Sequence, residues 1–238
     1  MTALNEPPRT LLLWDIDHTL IETRGVGRAI YDRAFPAATG KPLAKLANVS
    51  GRTELDIMRE SLRVNDIEPT EAMVGSLAAA LTKGYEDARD ELATVGRALP
   101  GAQETLAALA DDPTVHQAVL SGNLRAVSRI KLEVFGLEGY LDLDSSAYGD
   151  DHASRPELVK IAQGRARERI GSRFDNAHTV LIGDTPNDVQ AALTAGVRVV
   201  AVATGKSAED ELREAGAAVV LADLERAAEV LSELGEVR

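Results

Sequence analysis

The chain has 238 residues, 45% of them hydrophobic and 27% charged, with no cysteine and a formal net charge of −12. The missing cysteine excludes disulfides, thiolate metal sites and cysteine nucleophiles. The acidic balance disfavours nucleic acid and anionic membranes as partners, but it leaves room for a small anionic substrate at a local positive site. The length suits one full core plus a small accessory unit.

No apolar run approaches bilayer length. Asn5, Glu6 and Arg9 before the first short apolar run do not read as a signal peptide, so a cytoplasmic address is the expectation. The first element is a strand at Leu11-Leu12-Leu13-Trp14, stopping at Asp15-Ile16-Asp17. In an extended chain Asp15 and Asp17 point the same way. They repel each other unless a cation joins them, which suits a hard divalent metal. Gly25 and Gly27 mark a flexible exit, and Val26, Ile30 and Ala34 line one helix face as far as Phe35-Pro36. A loop at Gly40-Lys41-Pro42 follows. Ser50-Gly51-Arg52-Thr53 then turns into a helix carrying Leu55, Met58 and Leu62, with Thr53 as its cap. Residues 70–92 read as one long amphipathic helix through Val74, Leu77, Leu81, Tyr85, Ala88 and Leu92.

Leu99-Pro100-Gly101 is a second hinge candidate, and the helix with Leu106 and Leu109 stops at Asp111-Asp112-Pro113. A strand over 115–120 ends at Ser121-Gly122-Asn123. The next helix bears Leu124, Val127, Ile130 and Val134, with Asn123 as N-cap and Gly136 just past its end. A short strand is expected over 141–146, then a polar loop, then a helix from Arg155-Pro156 through Leu158, Val159 and Ala162. A strand over 179–182 ends at Gly183-Asp184, and Thr185-Pro186-Asn187-Asp188 opens a helix closing at Gly196. Strands over 197–202 and 217–221 and a helix over 223–234 complete the chain. Alternating strands and helices predict an α/β fold, a Rossmann-like parallel sheet flanked by helices. Residues 1–21 and 96–238 form that core. Residues 22–95, wholly helical, are an inserted cap hinged at both ends.

Parallel strands bring their carboxyl ends to one edge, so Asp15, Asp17, Ser121, Arg155, Asp184 and Asp188 converge. There Asp15 is a candidate nucleophile toward phosphorus. Asp17 is placed to protonate the leaving oxygen and then to activate water. Asp15 and Asp184, with the Asp17 carbonyl, suit Mg²⁺. Ser121 and Gly122 at a helix start suit a phosphate oxygen, and Arg155 supplies fixed positive charge. Asp188 is either a further metal-side carboxylate acting through water or a helix-start carboxylate. Asn123 is a substrate-side candidate as well as an N-cap. Arg52 is a candidate reader of the substrate's non-reacting part, and equally a surface arginine. Thr19 either orients the nucleophile loop or bonds locally. His18 has no assigned role, and Thr204-Gly205-Lys206 reads as a turn.

Asp15-Ile16-Asp17-His18-Thr19-Leu20 resembles the first motif of the haloacid dehalogenase-like hydrolase superfamily. Ser121-Gly122-Asn123 resembles its second motif, and Gly183-Asp184-Thr185-Pro186-Asn187-Asp188 its fourth. The helical insert is similar to the superfamily's first cap type. The resemblance implies a Mg²⁺-dependent phosphatase with Asp15 as nucleophile and Asp17 as acid/base, since the dehalogenating branch lacks an acid at the Asp17 position. The third motif departs from the usual Lys. Arg155 stands there, with Lys160 one turn on as the fallback, and the two cations are not interchangeable. The cap and motifs look most like phosphoglycolate phosphatases, which makes a phosphoglycolate-like ester the leading substrate. A phosphomutase and a non-catalytic phosphate-binding protein are the rival readings.

Overall fold

One apolar run organises the sheet. The computed structural model describes residues 10–171 and 174–235, and its first strand, β1 (Thr10–Trp14), is buried at every position. β2 (Ile21–Glu22) leads into helices α1 (Val26–Thr39), α2 (Glu54–Arg63), α3 (Glu71–Asp87) and α4 (Arg89–Val95), and β3 (Arg97–Ala98) closes that excursion. The chain continues through α5 (Ala102–Ala110), β4 (Val115–Val119), α6 (Arg125–Val134) and α7 (Arg155–Ile170). It ends with β5 (Thr179–Gly183), α8 (Pro186–Ala195), β6 (Arg198–Val202), α9 (Glu209–Glu214), β7 (Val219–Leu221) and α10 (Ala227–Gly235).

The main sheet runs β4-β1-β5-β6-β7, every neighbouring pair parallel. β1 lies between two partners and is covered on both faces, which is why its sequence is a continuous apolar run rather than an alternating one. Leu12 and Trp14 join Leu106 and Leu109 of α5 and Leu231 of α10 on one face. Leu11 and Leu13 join Leu158 and Val159 of α7 and Val189 and Ala192 of α8 on the other. This is the expected Rossmann-like architecture. A third cluster gathers Ile30, Phe35, Met58, Leu62, Leu77, Leu81 and Leu92 of α1 to α4 against Leu124, Val127 and Ile130 at α6. The helical excursion therefore rests on α6, and β2 and β3 pair antiparallel at its base. That pair is too short for any periodic sequence signal.

Local competition explains where the sequence reading and the structure part. Residues 141–146 form no strand, because the Asp142 carboxylate accepts from the Asp144 and Ser145 N–H groups and bends the chain. Only an isolated bridge from Leu120 to Ala147 remains there. The expected helix over 70–92 breaks at Ala88 (φ −101°, ψ 14°), where Arg89 ties Glu86 to Glu133 of α6. α1 does not stop at Pro36 but runs to Gly40, whose left-handed conformation (φ 71°) closes the last turn. Leu124, not Asn123, holds the N-cap of α6. Thr53 occupies the N-cap of α2, but its hydroxyl donates to the Ala153 carbonyl instead. α9 gave no apolar stripe to read, with Leu212 its one buried residue. No helix among the described residues is long and apolar enough to cross a membrane. Asn5, Glu6 and Arg9 lie outside the described residues.

Candidate active site

Backbone hydrogen bonds set each strand end. Asp15 N–H donates to the Ile182 carbonyl (2.9 Å), and Leu120 N–H donates to the Trp14 carbonyl (2.9 Å). Beyond Asp15 the chain turns tightly, with His18 in the left-handed region (φ 61°) and its N–H on the Ile21 carbonyl. Thr204 Oγ1 donates to the His18 carbonyl (2.5 Å). The Thr204-Gly205-Lys206 turn therefore belongs to the site, and a side chain at Gly205 would overlap the Asp184 carboxylate. Across the β5 end, Thr185 N–H and Oγ1 donate to Asp188 Oδ2 (3.0 and 2.6 Å), and Asp188 N–H donates back to Thr185 Oγ1 (3.2 Å). Asp188 thus is the helix-start carboxylate, while its other oxygen forms an ion pair with Arg155.

Asp15, Asp184 and Asp188, all buried, bring ligand oxygens within 4.8 Å of one another. Arg155 Nη2 lies 2.9 Å from Asp15 Oδ1. Nη2 thus serves both carboxylates, while Arg155 Nε is buried with no hydrogen-bond partner among the described residues. Thr19 Oγ1 lies 3.5 Å from Asp184 Oδ1.

Burial pushes the Asp15 carboxyl up to about 7; Arg155 opposes this, and Asp188 and Asp17 reinforce it. Burial, then repulsion from Asp15 and Asp188, raises Asp184 to about 8. A crowded group of carboxylates holding protons near neutrality is the state that a divalent cation relieves. The donors are all oxygen, as magnesium-type ions require, so the residues fit such an ion. Asp17 is in the opposite condition. Its burial is outweighed by Lys131, whose Nζ donates at 2.6 and 2.8 Å, and by Asn123 Nδ2 at 2.7 Å, so it lies below the ordinary carboxylate value.

Asp15, Asp17, Ser121, Gly122, Asn123, Arg155, Asp184 and Arg52 all line one cavity of about 240 Å³. Asp188 sits behind it, fully buried. Lys160 is elsewhere, exposed and paired with Glu157 (2.7 Å). Arg52 reaches the cavity but is engaged by Asp56 (2.7 Å) and the Asn48 carbonyl (3.2 Å). Asn123 donates to Ser121 Oγ (2.9 Å) and accepts from Lys131 (2.8 Å), which links the second-motif loop to Asp17. Lys131 itself escaped the sequence reading, although a lysine four residues after Val127 and three before Val134, on an apolar face, was a readable anomaly. Glu54, Tyr31 and Tyr85, also cavity-lining, had no local signal. The 50–54 loop lies against the core. Glu54 N–H donates to the Gly122 carbonyl (2.7 Å), and Asn187 Nδ2 donates to the Ser50 carbonyl (2.9 Å).

A parallel sheet with carboxylates after β1 and β5, a serine after β4 and a buried cation opening α7 defines a hydrolase of one family. The haloacid dehalogenase-like hydrolase pattern matches residues 12–193, and the chain belongs to that family. Within it, the enzyme is of the phosphatase kind. It is similar to a probable phosphatase IndB of Dickeya dadantii, 27% identical over 226 residues, 90% of this chain and 89% of that one. It is also similar to a plasmid phosphoglycolate phosphatase of Cupriavidus necator, 28% identical over 206 residues, 83% of this chain and 82% of that one. A hydrolase structure from Pseudomonas syringae shares the fold, with a TM-score of 0.69 at 23% identity, covering 94% of this chain and 99% of that one.

Proposed function

We propose that the chain is a Mg²⁺-dependent phosphomonoester hydrolase, acting on a small phosphorylated metabolite of about phosphoglycolate size through an aspartyl-phosphate. The observation that carries this reading is the opening of Asp15, Asp17, Ser121 and Arg155 onto one cavity. Asp15, Asp184 and the Asp17 carbonyl would hold the ion, with Asp188 behind them; bound there, it shields the nucleophile from its anionic substrate and neutralises charge on the phosphoryl oxygens.

The chain's own groups do the rest. Ser121 Oγ and the Arg155 guanidinium hold non-bridging phosphate oxygens. A carboxylate oxygen of Asp15 attacks phosphorus as the ester P–O bond breaks. The leaving oxygen takes a proton from Asp17, which requires Asp17 to gain one first. Asp17, ionised again, then takes a proton from water. That water attacks phosphorus, and the bond to Asp15 breaks to free phosphate. Residues 22–95 act as the cap, closing on the core through the 50–54 loop and excluding bulk water.

Phosphate release from 4-nitrophenyl phosphate and a panel of metabolite esters tests this reading. Release with Mg²⁺ that stops on chelation supports it, and release indifferent to chelation removes the metal. The raised carboxyls also make metal affinity depend on pH. Below about 7 to 8 the ion must displace protons from Asp15 and Asp184. Mg²⁺ affinity is expected to rise between about pH 6 and pH 8, by up to about tenfold per pH unit for each proton displaced, and to level off above. Calorimetric titration in buffers of different ionisation enthalpy reads both the affinity and the proton release. A flat profile would place the ion elsewhere.

A further inference from the structure

The far side of the cavity, away from the carboxylate group, is built from the helical excursion. Glu54 opens α2 and accepts a hydrogen bond from the Tyr31 hydroxyl of α1. Burial pushes both groups up, Tyr31 further because it faces Glu54. Tyr85 of α3 covers Lys131, its ring centroid 5.1 Å from Nζ. Gly27 is required beside it, since any side chain there would meet the Tyr85 hydroxyl at 2.7 Å. Ile57 completes this end with an apolar surface.

The charges at this end are already matched. Lys131 is spent on Asp17, Arg52 on Asp56, and Arg28 on Asp32 (3.0 Å). Lys206, another cavity-lining cation, is exposed and follows Gly205, which lies against Asp184. A substrate tail bearing a carboxylate or second phosphate would therefore meet Glu54 and two phenols, and the cations at this end, Lys131, Arg52 and Arg28, already each face a carboxylate with which it would have to compete. Leaving a buried anion unpaired is costly. Hydroxyl groups suit the same surface, because they donate to a carboxyl and exchange hydrogen bonds with phenols, while their C–H faces lie on Ile57 and the rings.

Resting on the phosphatase reading above, we propose that Glu54 and Tyr31 are the specificity residues of this site, and that its substrate is the monophosphate ester of a neutral, polyhydroxylated alcohol rather than of a hydroxy acid. Glycerol phosphate and phosphoglycolate are the discriminating probes, with 4-nitrophenyl phosphate as control. The wild-type kcat/KM is expected to favour glycerol phosphate by about tenfold or more, because a site built to bond hydroxyls rejects tails that lack them. Glu54→Gln keeps the shape and removes the charge. It is expected to lower kcat/KM for glycerol phosphate and raise it for phosphoglycolate, a gain that no folding defect produces. Calorimetry of the Mg²⁺-loaded protein with the phosphonate analogues of the two esters reads the same preference without turnover. Failure to hydrolyse any ester, the control included, would remove the phosphatase reading alone, and tighter binding of the dihydroxy phosphonate would still support the tail assignment. A wild-type preference for phosphoglycolate, equal or absent binding of the two phosphonates, or a ratio unmoved by Glu54→Gln would overturn it.

Discussion

Asp15→Asn is expected to abolish Mg²⁺-dependent phosphate release, by on the order of 10³-fold or more, because the group that would bond phosphorus is gone. The fold is expected to survive, and the sign of the stability change makes this a sharp test. Asp15 in the metal-free fold titrates near 7, above its unfolded value. The folded state therefore binds more protons than the unfolded one between about pH 4 and pH 7, and stability falls as pH rises through that window. Asparagine removes a buried charge that repels Asp184 and Asp188, and Arg155 keeps Asp188 as its partner. The metal-free variant is then at least as heat-stable as wild type at neutral pH, with a smaller decline between about pH 4 and pH 7. Wild type gains stability from Mg²⁺ by preferential binding to the fold, and the variant loses most of that gain. Thermal unfolding across this range, with and without Mg²⁺, reads these effects beside phosphate release. Retained turnover would remove Asp15 as nucleophile, and a collapse in stability would mark it as a structural carboxylate instead.

The parts of this molecule legible in its sequence are those where a local pattern carries the information. The run from Leu11 to Trp14 announced a doubly covered strand, and the carboxylates of Asp15 and Asp17 after it announced the edge where the site lies. Thr185, Pro186 and Asp188 announced a helix start, which the structure closes with a reciprocal capping box. Arg155 faces Asp15, as its place at the head of α7 suggested, and Lys160 does not. What stayed hidden depends on partners far along the chain. Lys131 meets Asp17 from 114 residues away. Asn123 turned from a local cap into a bridge because that lysine and Asp17 were both within reach. The cavity's far wall is assembled from three helices whose apolar faces were readable but whose mutual placement was not. Residues 141–146 misled because their apolar positions suited a strand while the Asp142 side chain offered the backbone a turn.

Lys131→Met is expected to have the second largest effect, and to act through Asp17. Lys131 is almost wholly enclosed, its side chain 3% exposed, and it touches Asp17, Asn123 and the Tyr85 ring together. Methionine approximates the stem and removes the charge. With the ammonium gone, burial is opposed by the Asn123 hydrogen bond but no longer by Lys131, and Asp17 moves upward. The two halves of the reaction respond oppositely. Protonation of the leaving oxygen is favoured by a carboxyl that holds its proton more firmly, whereas activation of water needs the ionised form. Breakdown of the aspartyl-phosphate should therefore become limiting, with kcat falling on the order of 10² at neutral pH, within the range general acid–base groups contribute. The acid limb of the kcat profile should shift to higher pH, and rapid mixing with an aryl phosphate should show a burst of leaving group before a slow steady state. Lys131→Arg restores a cation at a different geometry and should return the acid limb toward wild type more than it returns kcat, since the two side chains do not hold a carboxylate alike. A kcat loss with the profile unmoved and no burst would show that Lys131 serves only the packing of α6 against α1 to α4.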